Sequence, residues 1–471
     1  MNLVERFLAT AAQHGDRTAI IAGDGTATRF AALIHRAQAL AAAWQKQGIG
    51  PGDRVLLAMP LGADLYAGIA ALWQLGAVVV FPEPAMGLRG LRHAVTATRP
   101  KAFLAAGKYG LLRWLVPELR RLPVRLRPRA APSPLAAVYP AAPEHPALIS
   151  FTSGSTGRPK GIVRSHGFLA AQNVCVTAMI DPGAAHCIDL VAFPVFVIVN
   201  LALGITSVLP DWKLTRHDRT NPAALARLIE RHGVTRLLVP PSICEKLAIG
   251  PALPQVTKLF TGGGPVFPDL LRRLADKLPN AEIISVYGST EAEPIAHLSM
   301  AEIAEADWQA MESGGGLLAG RPIPEIAIAL IDDEIVVSGA HVNQGYLDGV
   351  GDAVNKLRRD GRIWHRTGDA GRFDAAGRLW LLGRHEARAG GFYPFSIEVA
   401  ARFWPGVRRA ALIDDAGRAT LAIEGERAHE AFWIGAASSQ GAIRVVPVTR
   451  IPLDRRHRSK VDYAALRRLL A

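Results

Sequence analysis

Helical and extended hydrophobic patterns alternate along roughly the first 260 residues. Two segments have apolar residues at helical spacing, and several short apolar runs are typical of buried strands. The helical segments are residues 31–47 and 64–75, and the strands are predicted at 54–59, 77–81, 236–239, 258–260 and 282–286. Strands that alternate with helices favour parallel sheets covered by helices, so the pattern predicts an α/β fold.

The pattern changes near residue 323 to short β-rich segments separated by Asp/Gly turns. Strands are predicted at 326–331, 334–337 and 378–382, with a hairpin turn at 374–377. The residues after Arg384 have strand and helix signals of their own and are enough for a small domain. We therefore predict a large N-terminal body over residues 1–382, with a β-rich part at about 323–382, and a small α+β C-terminal domain over residues 383–471.

One apolar run is long enough to suggest a membrane-spanning helix. Residues 190–210 contain no charged residue over 21 positions. However, Pro194, Asn200 and Gly204 interrupt the run, and no second run of this kind exists. We predict a buried strand, turn and helix here and no membrane span.

Composition is that of a globular protein with a large core. The chain has 471 residues, of which 49% are hydrophobic, enough for one large core or two to three domains. Its cysteines, Cys175, Cys187 and Cys244, fit no metal-binding spacing, which favours buried, inert thiols in a reducing compartment. The first residues lack the pattern of a secretory signal, so we expect a cytoplasmic protein.

The formal net charge is +13, and much of it is clustered. The clusters are Arg120, Arg121, Arg125, Arg127 and Arg129, and Arg450, Arg455, Arg456, Arg458 and Lys460. Neither has aromatic residues at the regular spacing that base stacking requires, so we expect no nucleic acid partner. Two interpretations stay open: a solvated arginine-rich surface, or attraction of an acidic partner such as ATP, coenzyme A or a carrier protein.

Residues 151–161, FTSGSTGRPKG, follow an apolar strand at 147–151. Hydroxyl groups and glycines let backbone N–H groups approach a polyphosphate, and the lysine adds positive charge. The residues that would do so are Thr152, Ser153, Gly154, Ser155, Thr156, Gly157, Lys160 and Gly161. Pro159 before the lysine and Gly161 after it exclude a Walker loop. A phosphate-binding loop is therefore predicted, the alternative being a flexible linker.

This run closely resembles the phosphate loop of the adenylate-forming superfamily, which includes acyl-CoA synthetases, peptide-synthetase adenylation domains and luciferases. Residues 287–291 (Tyr287, Gly288, Ser289, Thr290 and Glu291) match a second signature of the superfamily. The resemblance implies that Thr290 meets the α-phosphate of ATP, that Tyr287 packs near adenine and that Glu291 helps to hold Mg²⁺. It also implies a large N-terminal body and a small C-terminal lid.

Three further motifs have counterparts in the superfamily. Gly262, Gly263, Gly264 and Pro265 resemble the adenine-binding turn, where glycines let a flat base lie against backbone. Asp369, in Thr-Gly-Asp, can accept hydrogen bonds from both ribose hydroxyls, and Arg384 resembles a ribose-contacting arginine. Lys460 resembles the lysine that drives adenylation, although Arg-Ser-Lys replaces the usual Ser-Gly-Lys.

The superfamily resemblance implies ATP-dependent activation of a carboxylic acid, and three local patterns lean toward its olefin-biosynthesis β-lactone synthetases. They lie at residues 83–91, 192–211 and 452–460. Such enzymes adenylate a β-hydroxy acid, whose hydroxyl then expels AMP, and their partners are olefin or lipid-pathway enzymes. Only seven residues, 385–391, separate Arg384 from FYPFSIE, fewer than in acyl-CoA synthetases, which argues against thioester formation.

Two alternatives stay open. One is an acyl- or aryl-CoA ligase or a carrier-protein ligase, which would use coenzyme A or a phosphopantetheine carrier. The other is a non-catalytic nucleotide-binding protein, although Thr290, Glu291, Asp369 and Lys460 are all present.

Overall fold

The structure is a computed structural model that describes residues 2–130, 137–152, 159–180, 183, 186–454 and 459–470. The chain divides into two compact units. The first contains residues 1–214, 290–293 and 340–356, and the second contains residues 215–289, 294–339 and 357–471. Segments 290–293 and 340–356 therefore pack with the N-terminal part of the chain, although long stretches of sequence separate them from it.

The first 214 residues alternate helices and strands, as the hydrophobic pattern predicts. In chain order the elements are α1 (Val4–His14), β1 (Thr18–Ile21), β2 (Ala27–Arg29), α2 (Phe30–Lys46), β3 (Arg54–Ala58), α3 (Ala63–Gln74), β4 (Val78–Phe81), α4 (Gly87–Thr98), β5 (Ala102–Ala105), α5 (Leu112–Leu115), β6 (Val124–Leu126), β7 (Pro146–Thr152), β8 (Lys160–Ser165), α6 (His166–Ile180), β9 (Ile188–Val191), α7 (Pro194–Leu203) and β10 (Thr206–Val208).

Two sheets organise the first unit. One has the order β6-β5-β3-β4-β7-β8, in which β8 alone runs antiparallel to its neighbour, and the other contains β9-β10-β1-β2. The apolar runs of β3, β4 and β5 are almost wholly buried, as expected for parallel strands covered on both faces. Helix α3 is buried along nearly its whole length.

The chain continues with a second series of elements. They are α8 (Pro222–Arg231), β11 (Arg236–Leu238), α9 (Pro241–Leu247), β12 (Lys258–Gly262), α10 (Pro268–Lys277), β13 (Glu282–Ser289), β14 (Ala292–Ser299), α11 (Glu305–Glu312), β15 (Leu317–Pro322), β16 (Ala327–Ile331), β17 (Glu334–Ser338), α12 (Asp352–Asn355), β18 (Lys356–Arg359), β19 (Arg362–Phe373), β20 (Leu379–Arg384), α13 (Pro394–Ala401), β21 (Val407–Asp415), β22 (Arg418–Gly425), α14 (Glu430–Gln440), β23 (Arg444–Val448) and α15 (Tyr463–Leu470). Of these, α12, the first two residues of β14 and the first residue of β18 belong to the first unit.

Parallel and antiparallel strands both occur in the second unit. Strands β11, β12 and β13 are parallel neighbours, and the order continues through β14, β15, β20, β19 and β17 to β16, with β18 beside β19. A separate sheet contains β21, β22 and β23. Residues from Ala389 to Leu470 form apolar clusters around this small sheet, including Trp433 and Leu466.

A buried carboxyl group ties α15 to the small sheet. Glu398 Oε1 accepts hydrogen bonds from the Leu412 N–H at 2.8 Å and from the Tyr463 hydroxyl at 3.0 Å. Burial raises the pKa of Glu398 to about 7, although both hydrogen bonds favour the ionised form. The C-terminal helix is therefore held by a polar contact as well as by apolar packing.

The predicted α/β fold class is confirmed, with corrections at the ends of elements. The uncharged run forms β9, α7 and β10, and no described helix is long and apolar enough to cross a membrane. Strand β13 extends three residues beyond the predicted end, to Ser289, and β12 includes Gly262. Cys187 is only partly buried, unlike the other two cysteines. The domain boundary at residues 382–383 stays a prediction.

Candidate active site

In the second unit, Asp369 is held between a phenol and a guanidinium. The Tyr287 hydroxyl donates a hydrogen bond to Asp369 Oδ2 at 2.9 Å, and Arg384 Nη1 donates to Oδ1 at 2.9 Å. Burial raises the pKa of Tyr287 well above its usual value, and the Asp369 carboxylate adds to this effect. Tyr287 therefore stays protonated and remains a donor to the carboxylate.

Strand register explains why these residues meet. Asp369 on β19 lies directly opposite Arg384 on the antiparallel strand β20. Gly368 has a φ of +70°, and a Cβ there would lie 3.0 Å from Arg384 Nη2, so the left-handed backbone conformation and the closeness of the guanidinium both favour glycine. The Thr367 hydroxyl accepts from the Asp369 N–H at 3.1 Å and donates to the Ile335 carbonyl. The carboxylate is thus positioned before any ligand binds.

The predicted adenine turn lies at the carboxyl end of β12. Gly262 pairs in parallel register with Val286, so the chain after Gly262 emerges beside Tyr287 at the same edge of the sheet. A Cβ at Gly262 would lie 2.5 Å from the Val286 carbonyl oxygen, and Gly263 has a φ of +77°. Glycine is therefore required at both positions for backbone reasons, in addition to any ligand that the turn accepts.

The segment that carries Lys460 lies against this turn. A Cβ at Gly264 would lie 2.4 Å from Ser459 Oγ. Lys460 itself is exposed, and its backbone exchanges hydrogen bonds with Asp454, whose N–H donates to the Lys460 carbonyl at 2.8 Å. The hydroxyl oxygens of Ser459 and Ser289 are buried and have no hydrogen-bond partner among the described residues. Two predicted motifs that are far apart in the sequence are thus neighbours.

In the first unit, two lysines flank one tyrosine. The Nζ atoms of Lys160 and Lys356 lie 5.3 Å and 5.2 Å from the centre of the Tyr346 ring, within the range of cation–π attraction. The Tyr346 hydroxyl donates to Glu291 Oε1 at 3.0 Å. We call Lys160, Glu291, Tyr346 and Lys356 the Tyr346 cluster.

Long-range backbone pairing assembles this cluster. Tyr346 bridges to Ile162 on β8, two residues after Lys160, and Val342 bridges to Ala292, the residue after Glu291. Lys160 is buried, and a Cβ at Gly351 would lie 3.0 Å from its Cε atom. The packing therefore brings two cationic groups and one carboxylate around a single aromatic ring.

The electrostatics of the Tyr346 cluster centre on Lys356. Burial lowers the pKa of the Lys356 ammonium to about 8, a shift that the Glu291 and Asp352 carboxylates oppose and that Lys160 reinforces. Lys356 also donates to the Asn343 carbonyl. Burial raises the pKa of Tyr346, and Glu291 strengthens that shift, so the hydroxyl remains a donor to Glu291.

Arg164 holds the residue that precedes Glu291. Its side chain is buried, with Nη2 donating to the Thr290 carbonyl at 2.8 Å and Nη1 donating to Ser150 Oγ at 3.1 Å. The Asn343 N–H donates to the Glu291 carbonyl at 2.7 Å. The backbone carbonyls of Thr290 and Glu291 are thus both held by hydrogen bonds from other segments.

The shortened stretch after Arg384 forms a compact turn. Residues His385–Ala387 form one turn of 3₁₀ helix, and Ala389 and Phe392 exchange backbone hydrogen bonds across Gly390 and Gly391. Both glycines have positive φ, +54° and +88°, the pattern of a tight two-residue hairpin turn. The residues between Arg384 and Phe392 therefore form a short, hydrogen-bonded connection.

Several predicted residues fall outside these two groups. Ser153, Gly154, Ser155, Thr156 and Gly157 lie outside the described residues, and of Thr152 only the backbone pairing with Lys160 is described. Gly288 and Ser289, predicted to follow a strand, lie within β13. Tyr346 and Lys356 were missed by the sequence reasoning. The local sequence signal for either residue is weak, because a Gly-Tyr pair, as at Tyr346, and a lysine in a basic stretch, as at Lys356, are both common in proteins.

The chemistry of the Tyr346 cluster suits an anion together with a cation. Two ammonium groups attract phosphate, and the Glu291 carboxylate is a hard oxygen ligand. Among the described residues, no group of three or more His, Cys, Asp or Glu side chains could hold a metal by itself. Mg²⁺ commonly takes one or two carboxylates together with substrate phosphates and water, so one glutamate fits that mode of binding.

Comparison with known proteins identifies relatives along most of the chain. The AMP-binding enzyme family matches residues 7–347. The olefin β-lactone synthetase of Stenotrophomonas maltophilia (strain K279a) is 33% identical, over 88% of this chain and 85% of that protein. The feruloyl-CoA synthase of an Amycolatopsis species is 29% identical, over 86% and 82%. The amide bond synthetase McbA of Marinactinospora thermotolerans shares the fold, with a TM-score of 0.82 at 22% identity and full coverage of both chains.

Proposed function

Because this chain belongs to the AMP-binding enzyme family and is an AMP-forming acid ligase, we propose that it activates a fatty or β-hydroxy fatty acid as the acyl-adenylate and then forms a β-lactone. The observation that carries the nucleotide half of the proposal is the Asp369 carboxylate, held between Tyr287 and Arg384. A positioned carboxylate can accept hydrogen bonds from the 2′- and 3′-hydroxyls of ATP at once.

We expect the remaining nucleotide contacts to come from the glycine turn and β13. Gly263 and Gly264 would face adenine, and the unpaired Ser289 hydroxyl would gain a partner. In the first unit, resemblance to the family assigns phosphate contacts to Lys160, Thr290 and the loop at residues 153–157. Mg²⁺, held by Glu291 and by phosphate oxygens, would neutralise charge on the triphosphate.

Adenylation requires no nucleophile from the protein. A carboxylate oxygen of the acid bonds to the α-phosphorus, the bond from that phosphorus to the bridging oxygen breaks, and pyrophosphate leaves with the electron pair. The main obstacle is repulsion between two anions, which an ammonium placed between them offsets. We assign that role to Lys460, whose segment lies against Gly264.

In the second step, the hydroxyl of the acid would attack the acyl carbon. The new C–O bond closes the four-membered lactone, the bond from the acyl carbon to the phosphate oxygen breaks, AMP leaves, and the hydroxyl proton passes to solvent. The similarity to an olefin β-lactone synthetase supports this acceptor. The tight turn at Gly390 and Gly391 also supports it, because a short connection offers little length to line a pantetheine tunnel.

A thioester-forming ligase is the second candidate. The similarity to a feruloyl-CoA synthase favours it, and coenzyme A or a phosphopantetheine carrier protein would then be the acceptor. The adenylating residues would be the same in both cases, so the two candidates differ only in the second half-reaction.

The experiment that separates them is a pyrophosphate-release screen over fatty, β-hydroxy fatty, aryl and amino acids, followed by mass spectrometry of the products. We expect release with β-hydroxy fatty acids and a product 18 mass units below the acid, with no requirement for coenzyme A. If the product is instead a thioester that forms only with coenzyme A or a carrier protein, the lactone proposal is wrong and the protein is a thioester-forming ligase. Absence of pyrophosphate release with every acid would overturn the activation proposal itself.

Lys356→Met is expected to lower kcat/KM for ATP about tenfold at pH 7, since removing one partner of a polar contact typically costs roughly 1–3 kcal/mol. Because the pKa of Lys356 is about 8, its ammonium is protonated below that pH and loses its proton above it. The wild-type advantage should therefore be full at pH 7 and shrink by pH 9, which parallel pH profiles of the two proteins will measure.

Two variants control this measurement. Lys356→Arg should keep most of the activity and retain its advantage at pH 9, because a guanidinium stays protonated. Lys46→Met, at an exposed lysine near the end of α2, should match the wild type at every pH. A constant ratio between the wild type and Lys356→Met from pH 7 to pH 9 would show that this ammonium does not act in the reaction.

A further inference from the structure

A cluster of large apolar side chains is exposed on the first unit, after β5. Leu111, Trp114 and Leu115 are 61%, 60% and 59% exposed. They occupy positions i, i+3 and i+4 where a 3₁₀ turn, Gly107–Leu111, runs into α5, so they share one face. We call Leu111, Trp114, Leu115 and the neighbouring Arg113, Arg120 and Arg121 the Trp114 surface.

The opposite face of the same segment is already anchored. Leu112 packs against the apolar core cluster that contains the buried residues Val116 and Leu119. The segment is therefore apolar on both sides, although only one side has a partner within the described part of the first unit. An exposed apolar patch with a polar rim marks an interaction site.

The charge around the exposed residues is strongly positive. Residues 107–130 contain seven basic residues and one acid, Glu118, which gives a net charge of +6. Glu118 pairs with Arg92 on α4 at 3.2 Å. The guanidinium carbons of Arg113 and Arg120 lie 5.0 Å and 5.9 Å from the centre of the Trp114 ring, and Arg120 and Arg121 are exposed.

This combination matches the interface of an anionic bilayer better than it matches a nucleic acid. Tryptophan prefers the headgroup level, leucine gains by entering the acyl region, and guanidinium groups bind headgroup phosphates bidentately. A nucleic acid backbone would satisfy the arginines, but it would leave Leu111 and Leu115 against a polar, hydrated surface. The charge and the exposed leucines together therefore favour an anionic bilayer over a nucleic acid.

We propose that the Trp114 surface docks on the anionic headgroups of a lipid bilayer, with Leu111, Trp114 and Leu115 in the interface and Arg113, Arg120 and Arg121 on lipid phosphates. Three inserted side chains with a basic rim give reversible attachment to the membrane face and not a membrane span. The proposal is independent of which acid the protein activates.

Vesicle co-sedimentation of the full chain tests it. We expect binding to vesicles of phosphatidylglycerol and phosphatidylcholine, and at least tenfold weaker binding to phosphatidylcholine alone or in 0.5 M NaCl, where charge attraction is screened. The triple variant Leu111→Ser, Trp114→Ser, Leu115→Ser should lose at least tenfold in affinity for the anionic vesicles. Arg120→Glu with Arg121→Glu should lose a similar factor.

Matched variants elsewhere in the chain provide the controls. Ile249→Ser removes an apolar side chain that is 65% exposed, and Arg227→Glu with Arg231→Glu reverses two exposed charges on α8. Both should bind anionic vesicles within twofold of the wild type, and all variants should keep their melting temperature and their rate of pyrophosphate release without vesicles. Equal binding by the triple variant and the wild type would overturn the proposal. Losses of vesicle affinity of the same size in the control variants would also overturn the proposal. Binding to duplex DNA or to an acidic protein, without binding to vesicles, would overturn it too.

Discussion

Replacing Lys460 with alanine is expected to lower acid-dependent pyrophosphate exchange by at least a hundredfold and to leave ATP binding within about threefold, because one preorganised charge at the reacting atoms is typically worth about 10²–10³ in rate. Lys460 is exposed, on a segment closed by the pairing of Leu453 with Val461. Ser459 beside it lies against Gly264 in the predicted adenine turn. In the proposed mechanism this ammonium acts where the carboxylate meets the α-phosphate, whereas the ribose hydroxyls are assigned to Asp369.

Radiolabelled pyrophosphate exchange measures the rate, and equilibrium binding of a labelled ATP analogue measures affinity. Lys460→Arg should recover part of the activity, because it keeps the charge but changes its geometry. Lys46→Ala removes an exposed lysine of the first unit and should have no effect. If the exchange rate of Lys460→Ala equals that of the wild type, the assignment of this lysine is wrong. Equal losses of exchange and of ATP binding would indicate a nucleotide-binding role instead.

Replacing Asp369 with alanine is expected to raise KM for ATP by about two orders of magnitude, since hydrogen bonds to a charged group contribute roughly 1.5–3 kcal/mol each. The substitution removes the acceptor proposed for the ribose hydroxyls. It also leaves the Tyr287 hydroxyl without its acceptor and removes the ion pair to Arg384. Steady-state kinetics over a range of ATP concentrations will measure the effect.

Selectivity for the 2′-hydroxyl distinguishes a ribose contact from a purely structural role. The wild type should prefer ATP to 2′-deoxy-ATP, and Asp369→Ala should lose most of that preference. Asp360→Ala, at an exposed aspartate just before β19, is the matched control and should keep both the KM and the preference. A variant that is slower but still discriminates against the deoxynucleotide to the same degree would contradict the assignment.

Helices and strands could be predicted well from the sequence where the hydrophobic periodicity was strong. Helix α2 was predicted at residues 31–47 and spans Phe30–Lys46, and β3 and β4 were within a residue or so of their observed bounds. The ends of strands were predicted less accurately. Tyr287, Gly288 and Ser289 continue β13 although glycine and serine usually favour turns. The pairing with β12 ends at Val286, and the other neighbour of β13 in the sheet is β14.

The two groups of the candidate site differ in how far the sequence revealed them. Tyr287, Asp369 and Arg384 were all predicted from motifs, and the structure joins them by hydrogen bonds. In the Tyr346 cluster, Lys160 and Glu291 were predicted but Tyr346 and Lys356 were not. No local pattern marks the second pair, because Tyr346 meets β8 through a bridge to Ile162 and Lys356 is added by its contact with the Tyr346 ring.

By itself, the sequence determined the α/β class, the motifs that indicate ATP and a carboxylic acid, and the basic stretch around Arg120. These features depend on short-range periodicity, on glycines that backbone conformation requires, and on charge, all of which can be read from neighbouring residues. Only the tertiary structure decided that one tyrosine lies between two lysines, that Ser459 lies against Gly264, and that Leu111, Trp114 and Leu115 are exposed among arginines. The physical reason is that burial, pKa and contact depend on which distant segments pack together, and packing is a property of the whole core.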